Sequence, residues 1–259
     1  MARIITVASH KGGVAKTTTA VSEAHALARQ GGNVLLVDTD SQGSCALCLG
    51  MDPEACLVDL FTADTHINNL IRHTNRPGLQ LLPSNSKTRS LLRTLDAGLE
   101  NGTVTRAGIA GRFEPFVAMM DYLVFDTSPS GALQEAALGL AHVIIIPTAL
   151  DNLSMSGAAH LLESVATLNP LAQMIILPTL YDSRLKEHRY NLELLQESYS
   201  DRLGPAVAYS SAIREAIAYG QTVYEYNDPQ SSTLPKVRSA YDHLCGWLVG
   251  RNKELGIKN

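Results

Sequence analysis

Residues 9–19 read Ser-His-Lys-Gly-Gly-Val-Ala-Lys-Thr-Thr-Thr, and this stretch decides the fold. It follows the apolar run 3–8 and precedes a segment of helical period. A strand, a glycine-containing loop and a helix in that order form a phosphate-binding site, because loop N–H groups and the helix N-terminus point at the same anion. Two details need explanation: Ala15 stands directly before the lysine, where a glycine is usual, and a second lysine, Lys11, precedes the glycines.

The residues of this loop are expected to divide into backbone and side-chain roles. Glycines at 12 and 13 let the backbone approach phosphate oxygens and adopt positive φ. Lys16 is expected to contact the β- and γ-phosphates, and the Thr17 hydroxyl to ligate Mg²⁺. Ala15 fits such a loop if it keeps a negative φ. The candidate phosphate-binding residues are Lys11, Gly12, Gly13, Val14, Ala15, Lys16, Thr17 and Thr18.

Short β-branched runs alternate along the chain with segments of helical period. The predicted strands are 4–8, 33–37, 79–82, 121–125, 142–147, 174–177 and 206–209. The predicted helices are 17–29, 86–99, 131–140, 154–168, 187–200, 212–219 and 234–249. Strands that are apolar at every position are expected to be covered by helices on both faces. This order predicts an α/β fold with a doubly wound, mostly parallel sheet, and one domain over residues 1–259. Residues 57–111 are the least regular part and are expected to add a short strand and two helices.

Three aspartates follow two of the predicted strands. Asp38 and Asp40 come after the second strand, and Asp126 comes after the strand at 121–125. In such sheets ligands bind in the crevice at the carboxyl ends of the strands. Asp126 is expected to hold Mg²⁺, through water, as a Walker B residue. Asp38 is expected near the metal, and Asp40 near the water that attacks the γ-phosphate.

Composition excludes several classes of protein. The chain has 259 residues, 45% of them apolar and 18% charged, and a net charge of −4, so it is neither disordered in character nor coated with positive charge. It lacks an apolar run of about 18–20 residues and a secretory sequence at its N-terminus, which favours a cytoplasmic protein. Cys45 and Cys48 form a C-x-x-C pair without further ligands at zinc-site spacing, which indicates packing residues.

Four motifs together resemble the ParA/MinD family of dimeric ATPases. Residues 11–18 are similar to its deviant Walker A motif, KGGxxK[ST], in which the extra lysine is the specific feature. Residues 38–43 (Asp-Thr-Asp-Ser-Gln-Gly) resemble its DxDPQG segment, with Ser41 in place of the usual proline, and residues 126–129 its DxxP segment. Residues 220–225 (Gly-Gln-Thr-Val-Tyr-Glu) resemble the G-x-x-V-x-E stretch of its partition members.

The resemblance implies ATP and Mg²⁺ as cofactors and a catalytic set of Lys11, Lys16 and Asp40, with Thr17, Asp38 and Asp126 around the metal. It implies that Lys11 reaches across a nucleotide-sandwich homodimer to phosphates bound by the other subunit, so that ATP controls dimerisation. It also implies a weak ATPase that binds nonspecific DNA on the nucleoid and is stimulated by a ParB-like partner. Adenine specificity is likewise implied by the family. Pro178 and Thr179 follow a predicted strand and are candidate base-side contacts, with a structural loop role as the alternative.

Three alternatives share the same ATPase core. A MinD-like, membrane-associated regulator of division would need an amphipathic C-terminal helix, whereas residues 251–259 offer only Leu255 and Ile257 to lipid. An iron–sulfur reductase would need thiolates beyond Asp126, and the next cysteine after it is Cys245. A positioner of protein cargo, such as carboxysomes or chemosensory clusters, is not separable by sequence. Two basic clusters are candidates for DNA contacts: Arg184, Lys186 and Arg189, and Lys236, Arg238, Arg251, Lys253 and Lys258.

Overall fold

A computed structural model describes residues 2–63 and 65–254 of the protein, with side chains described as far as residue 250. The strands are β1 (Arg3–Val7), β2 (Val34–Asp38), β3 (Arg72–His73), β4 (Leu79–Leu82), β5 (Tyr122–Asp126), β6 (Val143–Ala149) and β7 (Gln173–Thr179). The helices are α1 (Lys16–Arg29), α2 (Ser44–Cys48), α3 (Cys56–Thr62), α4 (Thr88–Glu100), α5 (Arg106–Gly111), α6 (Glu114–Met119), α7 (Ala132–Leu140), α8 (Asn152–Leu168), α9 (Lys186–Tyr199), α10 (Ala212–Ala218) and α11 (Leu234–Glu254). A short 3₁₀ helix spans Ile67–Asn69.

The seven strands form one sheet in the order β3-β4-β2-β5-β1-β6-β7. All neighbouring strands are parallel except β3, which runs antiparallel to β4 at the edge. In the central register, Asp126 lies opposite both Val7 of β1 and Asp38 of β2. The doubly wound, mostly parallel α/β fold is therefore confirmed, and the register brings the phosphate loop and two of the three aspartates to one edge.

Alternate residues of each central strand pack against helices on opposite faces of the sheet. Ile5 and Leu36 join a cluster with residues of α1, α2, α10 and α11, whereas Ile4 and Leu35 join a cluster with residues of α3 to α7. A third cluster lies under α8 and α9 beside β6 and β7. Every residue of β1, β2 and β5 is buried, as the continuous apolar runs predict.

The structure corrects the prediction at several places. The predicted strand at 206–209 is wrong: this segment makes only an isolated bridge, between Ala208 and Tyr181. Residues 57–111 contain more elements than expected, including β3 and α5. The short helices α2 and α6 were not predicted, and of α3 and α5 the sequence predicted one further helix without bounds. No helix in the described part of the chain is both long and apolar enough to cross a membrane.

Candidate functional site

The phosphate loop joins β1 to α1 and turns through two left-handed residues. Gly13 has φ 78° and Ala15 has φ 63°, so the expectation of a negative φ at Ala15 is wrong. The cause is local, because α1 begins at the next residue and the chain must reverse its turn to enter it. A left-handed alanine costs about 1–2 kcal/mol, which the surrounding contacts must offset.

The start of α1 is left free to bind an anion. Among the described residues no side chain caps this helix, and its first turn contains no acidic residue, so its first N–H groups lack the usual acceptors. A Cβ added at Gly12 or Gly13 would meet nothing within 4 Å, which shows that the loop faces open space there. The geometry is that of a site built for phosphate oxygens.

The end of β7 supports the loop from the side. The hydroxyl of Thr179 donates a 3.0 Å hydrogen bond to the carbonyl of Val14, and Leu180, the next residue, has φ 55°. Pro178 and Thr179 are both buried. Thr179 thus has the structural role that was the alternative to base contact, and base contact by Pro178 and Thr179 stays a prediction.

Thr17 and Asp126 are joined directly. The Thr17 hydroxyl donates a 2.7 Å hydrogen bond to Oδ2 of Asp126, which is fully buried. The other oxygen, Oδ1 of Asp126, has no hydrogen-bond partner among the described residues. Burial raises the pKa of this carboxyl, while the nearby charge of Lys16 and the bond from Thr17 act in the opposite direction. A buried carboxylate oxygen without a partner fits a site that receives a cation.

Asp38 faces Asp126 from the neighbouring strand and is also fully buried. Its two oxygens accept hydrogen bonds from the backbone N–H groups of Asp40 and Cys45, each 3.0 Å long. Burial and then the charge of Asp126 raise the pKa of Asp38. Hard oxygen donors of this kind suit Mg²⁺, and a dication between them would relieve their repulsion.

Asp40 lies at the half-buried rim of the pair. Its Oδ1 accepts from the Gln42 N–H at 3.0 Å, and its carbonyl accepts a hydrogen bond from the Ser84 hydroxyl. Gly43 follows with φ 64°, and a Cβ there would lie 2.7 Å from the Ser84 carbonyl. Only glycine fits this close approach, so the segment from Asp40 into α2 is held against the end of β4.

The side chain of Lys11 extends towards Asp151, the N-cap residue of α8. Its Nζ lies 3.9 Å from Oδ1 of Asp151, and the two side chains are 37% and 47% exposed. Asp151 also caps α8, accepting from the N–H and the hydroxyl of Ser154. A half-exposed pair at this distance is weak, so Lys11 can leave Asp151 at little cost.

The segment 220–225 is anchored by a residue that no motif predicted. Arg76 is buried and binds Oε2 of Glu225 through Nε and Nη2, at 3.0 and 2.7 Å. It also donates to the carbonyls of Leu49, at the end of α2, and Gly220. A Cβ at Gly220 would lie 2.3 Å from the Cα of Gly50. Both glycines allow the two backbones to touch, and Arg76 joins them.

Of the five residues in the predicted basic clusters whose side chains are described, three form contacts within the chain. Arg184 is paired with Asp182 at 2.7 Å, Arg189 donates to the Ser183 carbonyl, and Arg238 donates to the Val223 and Tyr226 carbonyls. Lys186 and Lys236 are exposed and form no hydrogen bond or ion pair within the described part of the chain. The side chains of Arg251, Lys253, Leu255, Ile257 and Lys258 lie outside the described residues.

Comparison with known proteins finds a matching family model and several relatives that align with most of this chain. A family model described as an AAA domain matches residues 2–175. The cell division protein PomZ of Myxococcus xanthus is 30% identical over 249 residues, which cover 92% of this chain and 76% of that protein. The sporulation initiation inhibitor protein Soj of Bacillus subtilis is 29% identical, with 89% and 93% of the two chains covered.

A solved structure extends the match to the whole fold. Cobyrinic acid a,c-diamide synthase from Mycobacterium smegmatis, with bound ADP and magnesium, is 27% identical, with a TM-score of 0.77 and coverage of 99% of this chain and 97% of that one. From the family match and these relatives, taken with the loop and its facing aspartates, this chain belongs to the ParA/MinD family of P-loop ATPases.

Proposed function

We propose that this chain is a weak, Mg²⁺-dependent ATPase that dimerises with ATP, binds DNA without sequence preference as a dimer, and drives partition of a plasmid or chromosome. In this proposal residues 1–259 act as one ATPase domain, in the cytoplasm and on the nucleoid, with a ParB-like partner that stimulates hydrolysis. The observation that carries the ATPase is the contact between Thr17 and Asp126 beside an open, uncapped phosphate loop.

The residues around this contact divide the work of nucleotide binding. Backbone N–H groups of residues 12–18 bind the phosphates, and Lys16, buried at the first position of α1, adds a cation. Thr17 and Asp126 are the groups that would hold Mg²⁺, with Asp38 behind them. When bound, Mg²⁺ supplies positive charge to the phosphate oxygens.

Asp40 is the group that we assign to the attacking water. It is half-buried at the rim, and one of its oxygens is fixed by the Gln42 N–H at 3.0 Å. Its backbone is fixed in turn by Ser84 and Asp38. A carboxylate held in this way can orient a water molecule in line with the γ-phosphate.

Lys11 is the residue that would couple nucleotide to dimerisation. Within one subunit it reaches Asp151, 3.9 Å away, and this contact is weak. In a face-to-face pair it would exchange Asp151 for phosphate oxygens bound by the partner. A charge-assisted contact of this kind contributes about 1.5–3 kcal/mol, enough to make the dimer depend on ATP.

Family membership is the main support for DNA binding, and the protein surface adds two exposed lysines. Lys186 and Lys236 are the candidate phosphate contacts, since the arginines near them are engaged. Each lysine that contacts a DNA phosphate adds about one to the salt dependence of binding. Lys186→Ala and Lys236→Ala should therefore each lower that slope.

The principal experiment measures DNA retention by the purified protein with ADP, ATP and a slowly hydrolysed ATP analogue across a salt series. The proposal expects retention with ATP or the analogue that falls steeply with salt. Retention independent of nucleotide would overturn it, and capture by anionic lipid vesicles instead of DNA would favour a membrane-associated regulator.

Three variants test the assigned residues separately. Lys16→Ala should abolish ATP binding, and tight ATP binding by that variant would contradict the loop assignment. Asp40→Ala should bind ATP but fail to turn over, and unchanged turnover would reassign Asp40. Lys11→Ala should bind ATP without forming dimers in light scattering, whereas Lys87→Ala, a change at an exposed lysine, should dimerise normally.

A second candidate is a positioning ATPase that runs the same cycle for a different cargo. The 30% identity to the cell division protein PomZ favours it. The two candidates share nucleotide-gated DNA retention and differ in the partner that stimulates hydrolysis. Stimulation by a DNA-site-bound partner supports partition, and stimulation by a protein assembly supports positioning.

A further inference from the structure

Cys45 occupies an unexpected position between the two facing aspartates. Its thiol donates a 3.4 Å S–H···O hydrogen bond to Oδ2 of Asp126, and its backbone N–H donates to Oδ2 of Asp38 at 3.0 Å. The three residues are fully buried, and each can offer a ligand atom within 4.8 Å of the other two. Two carboxylates and a thiol therefore converge on one small volume.

The proposed ATPase does not use this thiol. Mg²⁺ takes oxygen ligands in octahedral geometry and has little affinity for sulfur. Cys45 also lies too deep to meet a nucleotide directly, since it is the second residue of α2 and has no exposed surface. Apart from its hydrogen bond to Asp126, the sulfur is thus a potential metal ligand that Mg²⁺ would not use.

The distance between the thiol of Cys45 and the carboxylate of Asp126 matches the ligand spacing of a tetrahedral Zn²⁺ ion. Two ligands of a tetrahedral Zn²⁺ ion, at about 2.3 Å for sulfur and about 2.1 Å for oxygen, lie about 3.6 Å apart. The observed separation between Sγ of Cys45 and Oδ2 of Asp126 is 3.4 Å. Independently, Oδ1 of Asp126 is buried and has no hydrogen-bond partner among the described residues, so the cluster holds an unused acceptor.

We propose that Asp38, Cys45 and Asp126 form a site for one thiophilic divalent cation, Zn²⁺ or Cd²⁺, that competes with Mg²⁺ and inhibits the nucleotide cycle. On binding, the S–H bond of Cys45 breaks, a sulfur–metal bond forms, and the proton passes to the buffer. Water occupies the fourth position. The ion enters past Thr17, the half-buried residue that separates Asp126 from the open phosphate loop. Inhibition rests on the proposed ATPase function, whereas ion binding does not.

Cadmium titration of the nucleotide-free, magnesium-free protein tests the binding step. Thiolate coordination gives a near-ultraviolet sulfur-to-cadmium absorption, which should saturate at one Cd²⁺ per chain. Cys45→Ser should lose this tight band and bind at least about 100-fold more weakly, because it removes a ligand outright. Cys48→Ser is the matched control: Cys48 lies in the same helix and is buried, but stands outside the three-ligand cluster, so the band should remain.

A second readout covers the case in which a cysteine variant folds poorly. Asp38→Asn removes a different ligand and should abolish the thermal stabilisation that Zn²⁺ gives the unchanged protein. Excess Mg²⁺ should shift the cadmium titration to higher concentration. A band that survives in Cys45→Ser, or a titration unaffected by Asp38→Asn, would overturn the site. Tight cadmium binding without inhibition of ATP turnover would uphold the site and refute only its regulatory consequence.

Discussion

The hydroxyl of Thr179 and the carbonyl of Val14 are 3.0 Å apart, so the last residue of β7 holds the phosphate loop from the side. These residues are 165 positions apart in the chain. Because the loop contains two left-handed residues, an outside contact of this kind helps to fix its shape.

Thr179→Val should weaken both folding and nucleotide binding. The change keeps the shape of the side chain but leaves the Val14 carbonyl without its donor, which costs about 1–2 kcal/mol. Urea unfolding and titration with a fluorescent ATP analogue measure the two effects. Thr148→Val is the control, because its buried hydroxyl bonds to the Ile146 carbonyl in β6 instead of the loop. If both variants bind nucleotide equally well, Thr179 does not support the loop.

Ala15→Gly should stabilise the free protein. Glycine removes the left-handed cost at φ 63°, and its larger unfolded-state entropy offsets part of the gain, leaving about 0.5–1 kcal/mol. Urea unfolding gives the difference directly. Ala24→Gly, in the interior of α1, should instead lose about 1 kcal/mol or more. A loss of stability in Ala15→Gly would show that the loop imposes no strain on this residue.

Arg76→Gln should be strongly destabilising. The substitution removes a buried cation that serves Glu225 and two carbonyls, and we expect a loss of about 2–4 kcal/mol in the free energy of unfolding. We expect a smaller loss of stability than for a fully buried ion pair, because the Glu225 side chain is 32% exposed.

The control for Arg76 is an exposed ion pair of similar length. Arg106 and Glu135 are 2.5 Å apart, with side chains 57% and 40% exposed. Arg106→Gln should cost no more than about 0.5 kcal/mol. Comparable losses in the two variants would mean that burial of Arg76 contributes nothing to its role.

The protein should lose stability as the pH falls below neutral, because His25 binds a proton less readily in the folded chain than in the unfolded chain. Burial, together with the charges of Arg76 and Arg29, lowers the pKa of His25 to about 4, against the opposing charge of Glu225. The unfolded chain therefore binds a proton from about pH 6.5 downward, whereas the folded chain does so only near pH 4. Stability is lost as the pH falls between these values and the loss ends below them.

His25→Asn should reduce this loss by about 1–2 kcal/mol between pH 7.5 and 5, allowing for solvent screening. Asparagine keeps a polar atom near Nδ1, which bonds to the Thr222 hydroxyl at 2.7 Å. Denaturant unfolding at the two pH values provides the measurement, with His73→Asn at the surface as the control. An unchanged difference between the two pH values would assign the dependence to other groups.

The sequence predicted the strands and helices that have a long, regular pattern of apolar residues. Strands such as β5 and β6 are apolar throughout, and α1 and α8 have clear helical period, so their positions were correct to within two residues. Short helices were missed or left without bounds because five to seven residues, as in α2 and α3, do not complete a recognisable period. The segment 206–209 has the composition of a strand, but only Ala208 pairs with a neighbour.

The site was predictable as far as its motifs reach. Thr17, Asp38 and Asp126 come together as predicted, because parallel register places the ends of adjacent strands side by side. The support by Arg76 was not predicted, and for Thr179 a structural loop role was an alternative whose partner, Val14, was not predicted, since each contact is made across the fold. The role of Cys45 was hidden for the same reason: its thiol matters only once β5 lies beside α2.

The buried guanidinium of Arg76 also shows that the chain cannot be truncated at the end of the family match. The family match ends at residue 175, which suggests a natural place to divide the chain. Yet Arg76 has its acid and one of its carbonyl acceptors beyond residue 219, and Val237 and Leu244 fill the same apolar layer as α1. A chain shortened to end near residue 175 would leave the buried Arg76 cation without its carboxylate and would expose the apolar face of the sheet that α11 covers. The end of the family match is therefore not a boundary at which the protein can be divided.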